Sequence, residues 1–242
     1  MTALITGASG GIGAAVCREL AAAGYDIAVH YNQNEEAAFS LCGELQKRFA
    51  VRACPVQADL RDRKQIEQLA ESALGFGEVQ VLVNNAGLSY RSLFQLADEE
   101  KAEDVYAVNC TAAIYLTKLI LPAMIARHSG RIVNISSMWG VSGGSCEVHY
   151  SAAKAGLIGF TKALSKEVGP SGITVNCIAP GLIDTEMNSE IDEAAKKGIV
   201  EETPMSRIGL PVDVAAAVGF FAGKNSSFIT GQTLCVDGGL TL

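Results

Sequence analysis

The 242-residue sequence predicts an α/β fold: a doubly wound, seven-stranded parallel sheet with helices on both faces. Three observations predict it. Short apolar runs of strand length alternate about seven times with longer runs of helical pattern. The first strand enters a glycine-rich turn that opens straight into a helix. Turn-forming or small polar residues recur where strands end, at Ser9, Asn84, Ser137 and Pro180. Right-handed crossovers place all those ends on one edge of the sheet, the edge at which open α/β sheets take ligands.

No Pro/Gly/Ser-rich linker or charge block divides the chain, and a domain commonly takes ~100–200 residues, so residues 1–242 read as one domain. Apolar residues make up 49% of it, yet no run approaches the ~18–20 needed to span a bilayer. The start, MTALITGASGG, has no basic n-region and no cleavage site, so no membrane association and a cytoplasmic location are expected. The seven cysteines are scattered without a C-x-x-C and sit mostly in apolar patterns, which points to buried, reduced thiols. His30, His128 and His149 do not cluster with them, so no metal site is expected. A net charge of −7 disfavours nucleic acid, because no basic field is present to neutralise phosphates.

Taken in order, Thr2–Thr6 is an apolar strand, and Gly7-Ala8-Ser9-Gly10-Gly11-Ile12-Gly13 is a turn. A helix follows with Val16 and Leu20 inward. Glycines let backbone approach a pyrophosphate, and the helix N-terminus offers free N–H groups, so Gly7, Ser9, Gly11, Ile12 and Gly13 are cofactor candidates. The second strand, Asp26–Tyr31, ends without an acid; Tyr31 and Asn32 stand there. An acid would repel a ribose 2′-phosphate, so the sequence favours NADP(H) over NAD(H). After the helix Glu35–Phe49 and the strand Val51–Gln57 comes Ala58-Asp59-Leu60. Asp59 either accepts from an adenine amino group or caps the helix that starts near Arg61. The helix Lys64–Leu74 leads to the strand Val79–Val83 and then Asn84-Asn85-Ala86-Gly87. This is either a ligand-facing turn or an Asn turn bonding its own backbone.

A long helix from Asp98 to Arg127 contains Asn109, a residue mildly unfavourable in helix interiors. The strand Arg131–Ser136 then leads to Ser137 and, across a glycine-rich loop, to a helix from about Tyr150. Tyr150 and Lys154 are four apart and share a helix face. An ammonium beside a phenol favours the phenolate, so the Tyr150 pKa is expected to fall towards neutrality. A tyrosine poised that way exchanges a proton with a carbonyl or alcohol oxygen. Gly156 and Gly159 suggest close helix packing. The strand Ile173–Ile178 runs into Ala179-Pro180-Gly181-Leu182-Ile183-Asp184-Thr185, a turn on the ligand edge. The polar segment 188–205 stands where a lid would, before the helix Val212–Phe221 and the strand Thr233–Val236.

The motifs TGASGGIG, Asp59, NNAG, Asn109, ISS, Y-S-A-A-K and the APG turn with Thr185 together resemble the short-chain dehydrogenase/reductase family over the whole chain. The resemblance implies a Rossmann-type fold, a homotetramer and a tetrad of Asn109, Ser137, Tyr150 and Lys154. Ser137 would bind the substrate carbonyl, Tyr150 would donate the proton, and Lys154 would lower the tyrosine pKa and hold the nicotinamide ribose. Asn109 would anchor a water. Leu60, Asn85, Ala86, Gly87, Pro180, Gly181, Ile183 and Thr185 would line the cofactor with the glycine turn. Gly10 stands where many NADP-dependent members carry a basic residue.

The stretches AAKAGLIGFTKAL and GITVNCIAPG resemble 3-oxoacyl-[acyl-carrier-protein] reductases, which implies an acyl carrier protein as partner, with Arg127 and Arg131 as docking candidates. SSMWGVSGGSCEVHYSAAKAG is similar to reductases of 5-aminopentanone on elongation factor P, whose substrate carries an ammonium. Trp139 and Glu147 offer such a cation an aromatic face and a carboxylate. A non-catalytic dinucleotide sensor is the reading from another class, and the intact tetrad speaks against it.

Overall fold

Strands buried on both faces read as mostly apolar runs. The computed structural model describes residues 1–189 and 191–241. The inner strands are buried almost throughout, and the two edge strands are partly exposed. Glu190, inside the expected lid segment, and Leu242 lie outside the described residues. In chain order the elements are β1 (Thr2–Ile5), α1 (Gly11–Ala22), β2 (Asp26–Tyr31), α2 (Glu35–Phe49), β3 (Ala53–Gln57), α3 (Arg63–Phe76), β4 (Val79–Asn84) and α4 (Glu99–Tyr106). They continue as α5 (Ala112–Ala126), β5 (Gly130–Ile135), α6 (Met138–Ser142), α7 (Val148–Val168), β6 (Ile173–Pro180), α8 (Glu193–Glu202), α9 (Pro211–Ala222) and β7 (Thr233–Val236).

All strand pairs are parallel, in the order β3-β2-β1-β4-β5-β6-β7. The order reverses at β1, between β2 and β4, so a crevice opens beyond the ends of β1 and β4. Register keeps those ends level: Ile5 lies opposite Val29 and Val83, and Ile135 opposite Ile178. One face of the sheet packs on α1, α2 and α9 through Val16, Leu20, Leu41, Leu45 and Val218. The other packs on α3, α5 and α7 through Ile66, Leu69, Leu116, Ile120 and Val168.

A buried polar chain braces the sheet just below the crevice. The Asn84 amide donates to Asn134 Oδ1 at 2.8 Å and to Thr117 Oγ1 at 3.1 Å. Asn134 in turn donates to Thr161 Oγ1 at 2.8 Å. Such paired groups fix α5 and α7 on β4 and β5, because slippage would strand buried donors.

Three local differences from the sequence reading matter for the site. The loop after Ser137 contains a helix, α6: Ser137 Oγ accepts from Trp139 N at 3.2 Å, and Gly143 ends the helix at φ +77°. Helix α7 begins at Val148, two residues before Tyr150. The helix from Glu99 to Ala126 is interrupted by a π-helical turn, Ala107–Thr111, that contains Asn109. That 28-residue helix is long and apolar enough to cross a bilayer, which the sequence reading did not expect. Here its apolar stripe packs against α3 and the sheet. Within the expected lid, α8 is helical from Glu193 to Glu202 and capped by Asp192, which accepts from Ala195 N.

Candidate active site

The glycine turn is held from three sides. Gly13 tolerates no side chain: an added Cβ would overlap Gly7 O and lie 2.8 Å from Asn85 Nδ2. Gly7 has φ +60° and its Cβ position is 2.9 Å from Ala86 Cα. Asn85 does not bond its own backbone. Its amide donates to Thr6 O at 2.8 Å and Gly7 O at 3.0 Å, joining the two turns. His30, which sequence reading passed over, is buried and accepts from Gly7 N through Nδ1 at 2.9 Å. Nε2 therefore carries the proton and donates to Ala58 O at 3.0 Å. Burial pushes the His30 pKa down to about 4, so the ring is neutral at pH 7.

Helix α1 has Gly10 at its N-cap, with no side-chain cap and no acid in its first turn. Its first N–H groups are thus free for an anion. A turn packed this closely, under an uncapped helix end, fits the pyrophosphate of a dinucleotide.

Gly7, Gly11, Ile12 and Gly13 line one cavity of about 290 Å³, with Asn85, Ala86 and Gly87 beside them. Pro180, Gly181, Ile183 and Thr185 close its far wall. Ser137, Trp139, Glu147, Tyr150 and Lys154 line the same cavity. Met187, Ile191 and Ile199, from the segment around α8, add an apolar cover.

Ser9, Tyr31, Asn32, Asp59 and Leu60 stand outside this lining. Tyr31 and Leu60 are buried. The Tyr31 hydroxyl donates to Glu35 Oε1 at 3.4 Å, and Asn32 O accepts from Gln57. Asp59 is paired with Arg61, with Nη2 at 2.6 Å from Oδ2, and it also accepts from Arg61 N. The cap of α3 is Asp62, not Asp59.

Asn109 is buried and sits in the π-helical turn, a feature frequent at functional sites. Its amide donates to Leu88 O at 2.8 Å and Val105 O at 2.9 Å, while Oδ1 accepts from Leu88 N. A Cβ on Gly87 would lie 2.7 Å from Asn109 Oδ1 and 3.3 Å from Lys154 Nζ, so Gly87 sits between them. Lys154 is buried, donates to Ile135 O at 2.8 Å, and lies 5.6 Å from the Tyr150 ring centroid.

The expected fall in the tyrosine pKa is corrected by this geometry. Burial pushes Tyr150 up to about 12; the Ser137 hydroxyl lowers it and the Glu147 charge raises it further. Burial also pushes Lys154 down to about 8. Desolvation penalises both charged forms, and across 5.6 Å neither group offsets it for the other. At pH 7 Tyr150 is protonated and Lys154 charged, the states that a proton donor to a carbonyl requires.

The docking candidates Arg127 and Arg131 stand away from this chain's cavity lining. Arg131 is the second residue of β5, and Arg127 pairs with Glu78 at 2.9 Å, beside the start of β4. Both lie at the amino edge of the sheet, opposite this chain's cavity mouth. Sequence reading also missed Ser89 and Arg91 in the cavity wall. Arg91 Nε meets Glu147 Oε1 at 2.8 Å, and Ser89 Oγ lies 3.3 Å from the same oxygen. A basic residue four after Gly87 was the available signal; its acidic partner is 56 residues away.

A family model described as short chain dehydrogenase matches residues 1–196. The chain belongs to the short-chain dehydrogenase family. It is an NAD(P)-dependent short-chain oxidoreductase. An uncharacterized oxidoreductase of Bacillus subtilis, YmfI, is 42% identical over 98% of this chain and 98% of its own. The 3-oxoacyl-[acyl-carrier-protein] reductase FabG of Rickettsia conorii is 39% identical over 100% of this chain and 97% of its own. A blue fluorescent protein from a metagenomic library, solved in complex with NADPH, superimposes with a TM-score of 0.93 at 35% identity. That match covers 100% of this chain and 98% of the solved one.

Proposed function

We propose that this chain uses NADPH to reduce a protein- or carrier-bound ketone to its alcohol, most like a 3-oxoacyl group on acyl carrier protein. The observation that carries this reading is the meeting of Ser137, Tyr150 and Lys154 with the glycine turn in one cavity. The cofactor, when bound, supplies hydride. The Ser137 and Tyr150 hydroxyls hold the ketone oxygen, and Tyr150 gives it a proton as negative charge develops there. The Lys154 charge stabilises the phenolate left behind, and Asn109 keeps Leu88 and the Gly87 turn in place around it. The absence of an acid at the end of β2 supports NADP(H) over NAD(H). The FabG relative supports the acyl-carrier substrate. One domain spanning residues 1–242 would carry both half-sites, with α8 closing over the substrate.

The family resemblance suggests a homotetramer. Phe228 and, on the edge strand β7, Leu234 are exposed, and among the described residues no other element packs against the Cβ position of Gly159. A second copy would cover such surfaces.

A second reading, 5-aminopentanone on elongation factor P, is favoured by a carboxylate in the cavity wall, which the substrate ammonium would share with Arg91. Glu147 is 6% exposed and shares that wall with Trp139. NADPH oxidation with acetoacetyl-acyl carrier protein, run beside aminopentanone-modified elongation factor P, separates the two. Turnover of the acyl substrate alone supports the first reading, turnover of the modified factor alone the second. Binding of NADPH without turnover of either would leave the sensor reading in place of both.

A further inference from the structure

Glu147 occupies the N-cap of α7, three residues before Tyr150, yet its side chain caps nothing. An N-cap side chain ordinarily accepts from an N–H of its own helix's first turn. Here the carboxylate crosses to another loop, taking Arg91 Nε at 2.8 Å and Ser89 Oγ at 3.3 and 3.5 Å. The same two loops are joined by Ser92 N donating to Cys146 O at 3.0 Å. The far end of that loop is clasped by Asn109, which bonds both backbone groups of Leu88. A line of contacts thus runs from Asn109 through residues 88–92 to the start of the catalytic helix.

The exposures of the two partners differ. The Glu147 side chain is 7% exposed and that of Arg91 43%. A carboxylate that deep is costly unless paired, and removing only one partner of such a pair is worse than removing both. The charged and titratable groups that bear on Tyr150 are Lys154 on its own helix, Glu147 at the helix start and, through Glu147, Arg91. The Ser137 hydroxyl faces it from the end of β5. His149 is turned away, to Tyr106 and Phe94.

We propose that Arg91 and Glu147 form an electrostatic clamp on the catalytic helix: Glu147 ties residues 88–92 to the start of α7, and Arg91 screens Tyr150 from the Glu147 charge. Both are positioning residues that act through Tyr150. This rests on the reductase reading for its kinetic consequence, but not for its spectroscopic one. Without Arg91, the bare carboxylate disfavours the phenolate that forms when Tyr150 gives up its proton. The Glu147 charge already raises the tyrosine pKa with Arg91 in place.

The test is a charge-swap cycle: Arg91→Gln, Glu147→Gln, the double variant, and Arg91→Lys as the conservative rescue. NADPH-dependent reduction of ethyl acetoacetate, a neutral keto ester, is followed with NADPH affinity and melting temperature. Arg91→Gln is expected to lower kcat on the order of tenfold, about one pKa unit's worth, with NADPH affinity unchanged. Arg91→Lys and the double variant should each regain most of that loss. The ultraviolet phenolate titration of each variant, less that of its Tyr150→Phe counterpart, reads Tyr150 directly. Its midpoint should rise in Arg91→Gln and fall in Glu147→Gln. A double variant as slow as Arg91→Gln, or a titration that neither substitution moves, would overturn the clamp. If the wild type reduces no ketone, the reductase reading fails while the titration still decides the clamp.

Discussion

The two halves of the cavity are built in opposite ways. The cofactor half is mostly backbone: Gly7, Gly11 and Gly13, an uncapped helix end, and turns locked by Asn85 and His30. The substrate half is mostly side chain: Trp139, Glu147 and Arg91, under Met187, Ile191 and Ile199. Backbone sites are written in glycine spacing, which survives in a bare sequence. Side-chain sites depend on which distant residues meet, and in the pairing of Arg91 with Glu147 neither residue's local sequence names its partner. The first half therefore speaks for the cofactor class, and the second decides the ketone.

Substitutions can test whether the halves separate energetically. The largest effect is expected at Tyr150→Phe, which removes the proton donor and should lower kcat by roughly 10²–10⁴-fold. NADPH affinity, read by cofactor fluorescence, should stay near wild type; an equal loss of both would mean the halves are not separable. Next comes Gly13→Ala, whose Cβ would meet Gly7 O, Ala8 Cα and Asn85. Overpacking of ~1–3 kcal/mol should weaken NADPH binding by roughly 5–150-fold. With NADPH saturating, kcat should recover, because the substrate half is intact.

The pH profile should show a single alkaline loss. Lys154 is charged below about 8 and neutral above it, whereas Tyr150 keeps its proton up to about 12. Reduction measured as kcat/KM should therefore fall as pH rises through about 8. A flat profile from pH 7 to roughly 10, the ordinary range limit for a lysine, would mean that the Lys154 charge does not support the reaction. The smallest effect is expected at Trp139→Ala, where loss of about 1 kcal/mol of apolar contact should raise the ketone KM roughly fivefold. NADPH affinity should not change.

Much of the fold was legible because alternating strand and helix patterns admit few arrangements, and the observed seven-stranded parallel sheet is the one expected. Register at the strand ends, and with it the meeting of Ser137 with Gly181, follows from that topology. Helix α6 was not legible, since five residues, one of them Gly140, are too short for periodicity to speak. His30 looked like an ordinary strand residue, because its partners, Gly7 and Ala58, lie on two other segments. The tyrosine pKa was misjudged because sequence spacing reports proximity to Lys154 but not desolvation of both groups. That Arg127 and Arg131 stand away from this chain's cavity was not legible, because a basic residue near a strand says nothing until the strand's direction is known.

The central claim is that both halves act on one reaction. Wild-type protein given NADPH deuterated at the transferring C4 position, together with acetoacetyl-acyl carrier protein, tests it most directly. The account predicts one deuterium on the new carbinol carbon for each NADPH oxidised, and none with Tyr150→Phe on the same timescale. Tight NADPH binding with no deuterium transferred to this ketone, nor to aminopentanone-modified elongation factor P, would contradict it.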